Sequence, residues 1–252
     1  MDSKTILNKE FSSQEFGKDH PYSTMLDKYR EIAANYARME NVIAVLSDLR
    51  ANRSYIYYGG FAQRVALESN GEEDSVSSIW EEDIFRLVHP DDLADKHLQE
   101  LCFYNFVRRQ PKKLRANYYL MSRLRMRSNT SGYIPVLHRM YYVCIPADGT
   151  LWLALCLYGP MTLDLPDKGV TINSVNGEMT TLDKHHNSKI LSDREKQVLN
   201  LIDKGMTSKD IAATLFISKN TVSRHRQEIL AKLQVKNSIE ACRIAKDLGL
   251  MV

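Results

Sequence analysis

Cysteine is scarce: Cys102, Cys144, Cys156 and Cys242 are the only four in 252 residues, and no two form a C-x-x-C pair. That argues against a disulfide framework or a zinc motif and leaves reduced, buried thiols as the expectation, with no metal site. No run of about 18 apolar residues occurs, so neither a membrane span nor a membrane partner is expected. The opening MDSKTILNKEFSS lacks the apolar segment of a secretory signal, which points to a cytoplasmic protein. A haem-attachment C-x-x-C-H, a flavin-adduct cysteine motif, a phosphate-binding glycine loop and a G-x-S-x-G elbow are all missing. No motif therefore speaks for an enzyme or names a cofactor. The alternating βα pattern of a phosphorylation-controlled receiver domain is not visible either, nor is any internal repeat or low-complexity tract.

What is present fits a soluble protein that buries a core: 44% of residues are hydrophobic and 26% charged. The length allows two or fewer domains of roughly 100 to 200 residues each. A net charge of +3 is too small to argue for nucleic acid, but its distribution is uneven. From Leu191 onward 11 Lys and Arg face 7 Asp and Glu, a surplus of four; the preceding part holds the other 23 and 24, a deficit of one. Positive charge is concentrated where a phosphate-facing module would need it.

Taken in order, residues 1 to about 21 are polar, with Gly17 and Pro21 as breakers, and read as a loose arm. From Ser23 an amphipathic helix is expected, with Met25, Tyr29, Ile32, Ala33, Tyr36 and Met39 returning at three- or four-residue steps. Val42–Leu46 and Ser54–Tyr58 read as a hairpin, and a mixed helical region follows Gly60. His89-Pro90-Asp91-Asp92 marks a turn into a helix over Leu93–Arg108, capped by Asp91 or Asp92. Leu114–Arg127 alternates: Leu114, Ala116, Tyr118, Leu120, Leu124 and Met126 oppose Arg115, Asn117, Arg123, Arg125 and Arg127, as in a long half-buried strand. Ile134–Ile145 and Leu151–Tyr158 add two more strands, giving an α+β domain on a five-stranded antiparallel sheet. Asn176-Gly177, flanked by Thr and Ile, signals a hairpin in the stretch 162–190, whose Lys184–Lys189 portion is polar.

Thr207–Leu233 then reads as two short helices around a turn. Thr207 and Asp210 have capping-box spacing, Ile211, Ala212 and Leu215 form one buried face, and Ser218 caps a second helix whose apolar stripe is Val222, Ile229 and Leu233. Spacing alone leaves an ordinary helical hairpin and a helix-turn-helix level. The longer string decides: L-S-D-R-E-K-Q-V-L-N-L-I from Leu191, then G-M-T-S-K-D-I-A, I-S-K-N-T-V, H-R-x-x-I-x-x-K-L and N-S-I-E-A. Together these closely resemble the four-helix DNA-binding domain of LuxR/FixJ-family bacterial transcription regulators, over Leu191 to about Leu248. Ser238 departs from the family, which often has arginine there.

The resemblance implies that the second helix enters the major groove. Asn220, Ser223, Arg224 and Gln227 are the base-contact candidates, and Ser218, Lys219, Thr221 and Arg226 the phosphate contacts. His225 reads equally as a packed histidine or a phosphate contact. In the last helix, Ser238–Leu248, Ile239 and Cys242 lie on one side and Ala241, Ile244, Ala245 and Leu248 on the other, so one side is free to pair two copies or both are satisfied within the chain.

The N-terminal element order, with W-E-E-D-I-F-R-L-V-H-P-D-D from Trp80, looks like a PAS sensory domain over about Asn41–Met161. The organisation read from the sequence is thus an arm and helix over 1–40, a PAS-like sensor over 41–161, a connector over 162–190 and an all-α helix-turn-helix domain over 191–252. Partners implied are double-stranded DNA and a second copy of the chain, with RNA polymerase and a small-molecule effector as candidates. The alternative is a ligand-free N-terminal module for protein interaction and dimerisation. Trp80, Tyr118, Tyr142 and Trp152 line a pocket or are plain core; His89, Asp91, Asp92 and His97 fit no zinc spacing, and His185 and His186 read as solvated.

Overall fold

The computed structural model describes residues 3–17, 20–67, 71–130, 132–166, 169–181, 191–233, 235, 237–247 and 250. The chain divides into two compact units, residues 1–181 and 182–252.

The first unit is built on one antiparallel sheet of eight strands. They are β1 (Ile43–Asp48), β2 (Arg53–Tyr58), β3 (Glu73–Val76), β4 (Tyr118–Arg127), β5 (Tyr133–Cys144), β6 (Leu153–Pro160), β7 (Val170–Asn173) and β8 (Met179–Thr181), in the order β3-β2-β1-β6-β5-β4-β7-β8. The expectation of five strands is therefore corrected to eight. The five read from the sequence occupy the middle, β2-β1-β6-β5-β4, and three short ones extend the edges. β3, Glu-Asp-Ser-Val, buries almost nothing and carries no alternation to read. The Asn176-Gly177 hairpin forms, with Gly177 at φ 74, and β7 pairs with β4, so these strands lengthen the sheet.

The sheet is covered on both faces. Ala33 and Ala37 of α2 (Tyr22–Glu40) pack on Ala44, Leu46, Leu155 and Leu157. Their small side chains let the helix lie close to the sheet, and they rotate the expected stripe, leaving Tyr36 and Met39 exposed. The opposite residues of the same strands, Ser47, Ala154 and Cys156, face the helix α4 (Pro90–Arg109), which follows the single turn α3 (Glu82–Phe85). Residues 1–21 are not a loose arm throughout: α1 (Ser3–Ser12) packs on α4 with Ile6, Leu7 and Phe11 buried, and Arg108 holds Glu10 at 2.7 Å. Three apolar residues at helical spacing outweigh the polar average of that stretch.

Two local readings also change. The strand expected from Leu114 begins at Tyr118, because Lys112–Asn117 forms a 3₁₀ turn. Arg115 fixes it by donating to the carbonyls of Gln110, Gly149 and Arg108. The cap of α4 is His89, whose Nδ1 accepts from the Asp91 amide at 3.3 Å. Asp92 turns instead to Arg125, which holds its carboxyl below the ordinary range.

The second unit contains α5 (Asp193–Asp203), α6 (Ser208–Leu215), α7 (Lys219–Leu233) and α8 (Ser238–Asp247), with α5 and α7 each packed on the other three. Val198, Leu199, Ile211, Val222, Ile229, Leu233, Ala241 and Ala245 form its core. Among the described residues no helix is long and apolar enough to cross a membrane.

Candidate nucleic-acid interface

Helix α7 has one face committed to the fold. Val222, His225, Ile229 and Leu233 are buried against the neighbouring helices, which places His225 as a packed residue, its Nδ1 3.4 Å from Glu228 Oε2. Asn220, Ser223, Arg224 and Gln227 are all exposed. Their spacing of three, four and seven residues puts them in one stripe opposite the core. Among the described residues Arg224 pairs with the i+4 carboxylate of Glu228, at 3.4 Å and largely in water. Such a pair contributes about 0 to 1 kcal/mol, so Arg224 is free to exchange it for another acceptor.

The remaining candidates differ among themselves. Lys219 is exposed at the first turn. Ser218 Oγ accepts from the Thr221 amide at 3.0 Å and sits 2.9 Å from Thr221 Oγ1, so this pair shapes the helix start. Arg226 is half-buried, with Nη1 3.5 Å from Ser238 Oγ, and thus leans on α8. On α8, Cys242 does not share the side of Ile239: it is buried with Ala241 and Ala245, while Ile239 is 84% exposed. The Ile244 side chain and Leu248 lie outside the described residues.

Two contacts that the sequence did not disclose tie α7 and α6 to α5. Lys232 Nζ lies 2.7 Å from both oxygens of buried Glu195, whose Oε2 also accepts from the Ser192 amide at 2.6 Å. Burial would raise the Glu195 pKa, but Lys232 and the Ser192 groups outweigh it and hold the carboxyl below its ordinary range. Arg194 donates to the Leu215 carbonyl at 2.6 Å, satisfying an orphan group at the end of α6. Glu195 and Lys232 are 37 residues apart, which no local spacing rule reaches. The result is a rigid helix with a polar stripe of guanidinium, amide and hydroxyl ends facing outward.

Residues 189–245 match the model of the bacterial regulatory proteins, luxR family. This C-terminal stretch is a luxR-family domain. Over 67 residues the chain is 43% identical to the transcriptional regulatory protein DesR of Bacillus subtilis (strain 168), covering 27% of this chain and 34% of DesR. Over 57 residues it is 47% identical to the oxygen regulatory protein NreC of Staphylococcus haemolyticus, covering 23% and 26%. The chain thus spans about a third or less of these relatives. Among solved structures, the phage VqmA-DPO complex aligns over 92% of this chain and 94% of its own at 14% identity and a TM-score of 0.33. SdiA of Escherichia coli aligns over 99% and 98% at 16% identity and a TM-score of 0.26.

In the first unit the four aromatic candidates do not meet at one place, although Trp80 and Tyr142 are linked on the α4 side through Phe11 and Tyr104. Trp152 lies on the α2 side with Nε1 donating to Asp48, Tyr142 stacks on Phe103 on the α4 side, and Tyr118 packs edge-on to Phe106. Of His89, Asp91, Asp92 and His97, the first three gather at Arg125, with Asp91 Oδ2 3.6 Å from His89 Nδ1 and 3.7 Å from Arg125 Nη2 and Asp92 bound to the same guanidinium, while His97 sits apart against Trp80 and Phe85. His185 and His186 lie outside the described residues. The layer between α4 and the sheet instead holds a polar cluster. Glu81 Oε1 accepts from Ser47 and Ser54, Lys96 Nζ lies 2.6 Å from Glu100 Oε1, and Ser122 Oγ is 3.0 Å from His138 Nδ1. All seven side chains are buried.

Proposed function

We propose that the chain is a sequence-specific DNA-binding transcription regulator acting as a dimer. The single observation that carries this is the exposed stripe Asn220, Ser223, Arg224 and Gln227 on the second helix of a luxR-family helix-turn-helix. Arginine offers two parallel donors to guanine O6 and N7, and glutamine or asparagine pairs with adenine, so the stripe has the chemistry of base reading. Lys219, with the hydroxyls of Ser218 and Thr221 and the guanidinium of Arg226, borders it where phosphates would lie. The first unit is read as a PAS-like sensor of a small molecule or partner. It would act by setting the spacing of two DNA-binding domains, since half-site spacing must match protein symmetry. No part of this reading calls for an enzyme.

The test is binding to sites first found by genome-wide mapping of the bound chain. Arg224→Ala is expected to weaken binding by about 1 to 3 kcal/mol and to relax preference at one base pair. Unchanged affinity and preference would remove Arg224 from base reading.

A second reading makes the first unit a ligand-free module for dimerisation. It is favoured by the small space between α4 and the sheet, a cavity of about 30 Å³ lined by Glu81, Lys96, Glu100 and Cys156 among others. That is one water's share of liquid, too little for an organic effector without rearrangement. A metabolite retained through purification, or one that raises the melting temperature, would reject it.

A further inference from the structure

The polar cluster of the first unit contains a donor set that its hydrogen bonds do not explain. His138 is fully buried on β5, and its Nε2 has no hydrogen-bond partner. Directly across on β4 is Ser122, which holds the other ring nitrogen. Cys156 on β6 pairs with Met140 and so lies diagonally across from His138 on the same face, while Glu100 descends from α4, its Oε1 3.8 Å from Nε2. One donor atom each from Glu100, His138 and Cys156 lies within 4.8 Å of the other two, and all three residues are buried.

We propose that Glu100, His138 and Cys156 form a binding site for one divalent transition-metal ion of the zinc type. Carboxylate, imidazole and thiolate are the ligand set of that ion, and closing the atoms to bonding distance needs edges of roughly 3.3 to 3.7 Å, a contraction of about 1 Å. The cavity beside Glu100 and Cys156, about 30 Å³, has room for a water as fourth ligand. Ser122 is the outer partner that a metal-bound histidine needs: with Nδ1–H donating to its hydroxyl, Nε2 carries the lone pair that points at the other two donors.

Lys96 is the obvious competitor, and charge counting shows why it does not exclude the ion. Counted as ions, Glu81 and Glu100 against Lys96 leave one negative charge in the interior. A bound dication with Cys156 as thiolate brings the five charges to zero. Lys96 then remains a hydrogen-bond donor to Glu100, whose carboxylate has two oxygens. The thiol proton leaves to solvent as the metal–sulfur bond forms.

The test uses the full chain stripped of metal and titrated with Zn²⁺ or Co²⁺. One equivalent should bind, and the cobalt form should show tetrahedral visible bands with a thiolate-to-metal charge-transfer band. Cys156→Ser should abolish that band, Cys242→Ser should leave it intact, and Ser122→Ala should weaken binding about 10- to 100-fold while the ligands remain. X-ray absorption of the zinc-loaded native chain needs no variant, and should show sulfur near 2.3 Å beside nitrogen or oxygen near 2.0 to 2.2 Å. No stoichiometric binding, a shell without sulfur, or a charge-transfer band that survives Cys156→Ser would each overturn the proposal.

Discussion

The two units keep their charges in opposite places. In the first, Glu81, Lys96 and Glu100 lie beneath α4, at 5%, 2% and 5% exposure, with three serines and a histidine around them. In the second, the buried polar residues among those described are Glu195 and His225, and the cations Lys219 and Arg224 stand in solvent. A buried charge cluster is an inefficient way to stabilise a fold, since well-packed apolar residues of the same volume do as well or better. Exposed cations contribute little to folding but release counterions when they meet a polyanion. The contrast therefore separates charges held inside a fold from cations left free to meet a polyanion. It also sets how each unit answers to substitution.

Lys96→Met should break the comparison most severely. It removes the one ammonium from the cluster and leaves two carboxylates buried without a counter-charge, a loss of about 3 to 5 kcal/mol. Both tryptophans, Trp80 and Trp152, belong to the first unit, so their fluorescence in a urea titration reports on it alone. Arg224→Met, the same loss of a cation in the second unit, should move the far-ultraviolet circular dichroism transition by about 0.5 kcal/mol or less. Equal effects would mean that the cluster is wetter than its burial states.

Glu195→Gln asks whether the second unit has any charge of the first unit's kind. Its carboxylate accepts from Lys232 and from the Ser192 amide, and charge-assisted bonds of this sort contribute about 1.5 to 3 kcal/mol. The folded pKa is depressed, so near and below the ordinary unfolded value of about 4.3 the unfolded chain binds the extra proton. The contribution is thus present above that value and lost as pH falls through the lowered folded one. Native chain and Glu195→Gln should differ most near neutrality and converge in acid; a constant difference would place the effect in packing.

How much of this was legible in the sequence follows the same division. The second unit declares itself because its signals are local: the capping box at Thr207, and the stripe Val222, Ile229 and Leu233, are each read within one or two turns. The middle of the sheet was legible from alternation, but β3 was not, since its four residues bury almost nothing. The Arg115 clamp was read as an outward strand residue because its three carbonyl partners come from separate turns. The cluster of Glu100, His138 and Cys156 was illegible for the same reason. Cysteine spacing along the chain carries no trace of a meeting between α4, β5 and β6.

The smallest expected effect compares two helix ends with one backbone geometry. Asn41 closes α2 at φ 54 and Phe216 closes α6 at φ 53, both in the left-handed region. Asparagine tolerates that conformation because its short polar side chain bonds locally, whereas a bulky residue is strained there. Phe216 is 95% exposed, so its ring recovers little burial in return. Phe216→Asn should therefore stabilise the second unit by about 0.5 to 1 kcal/mol, read by thermal unfolding, and Asn41→Phe should destabilise the first by a similar amount. If Phe216→Asn stabilises the fold yet weakens DNA binding, the strain is kept for an aromatic ring at the rim of the interface. If it does neither, the left-handed turn is held by the cap bond from the Ile217 amide to the Ala212 carbonyl, and the residue placed there is immaterial.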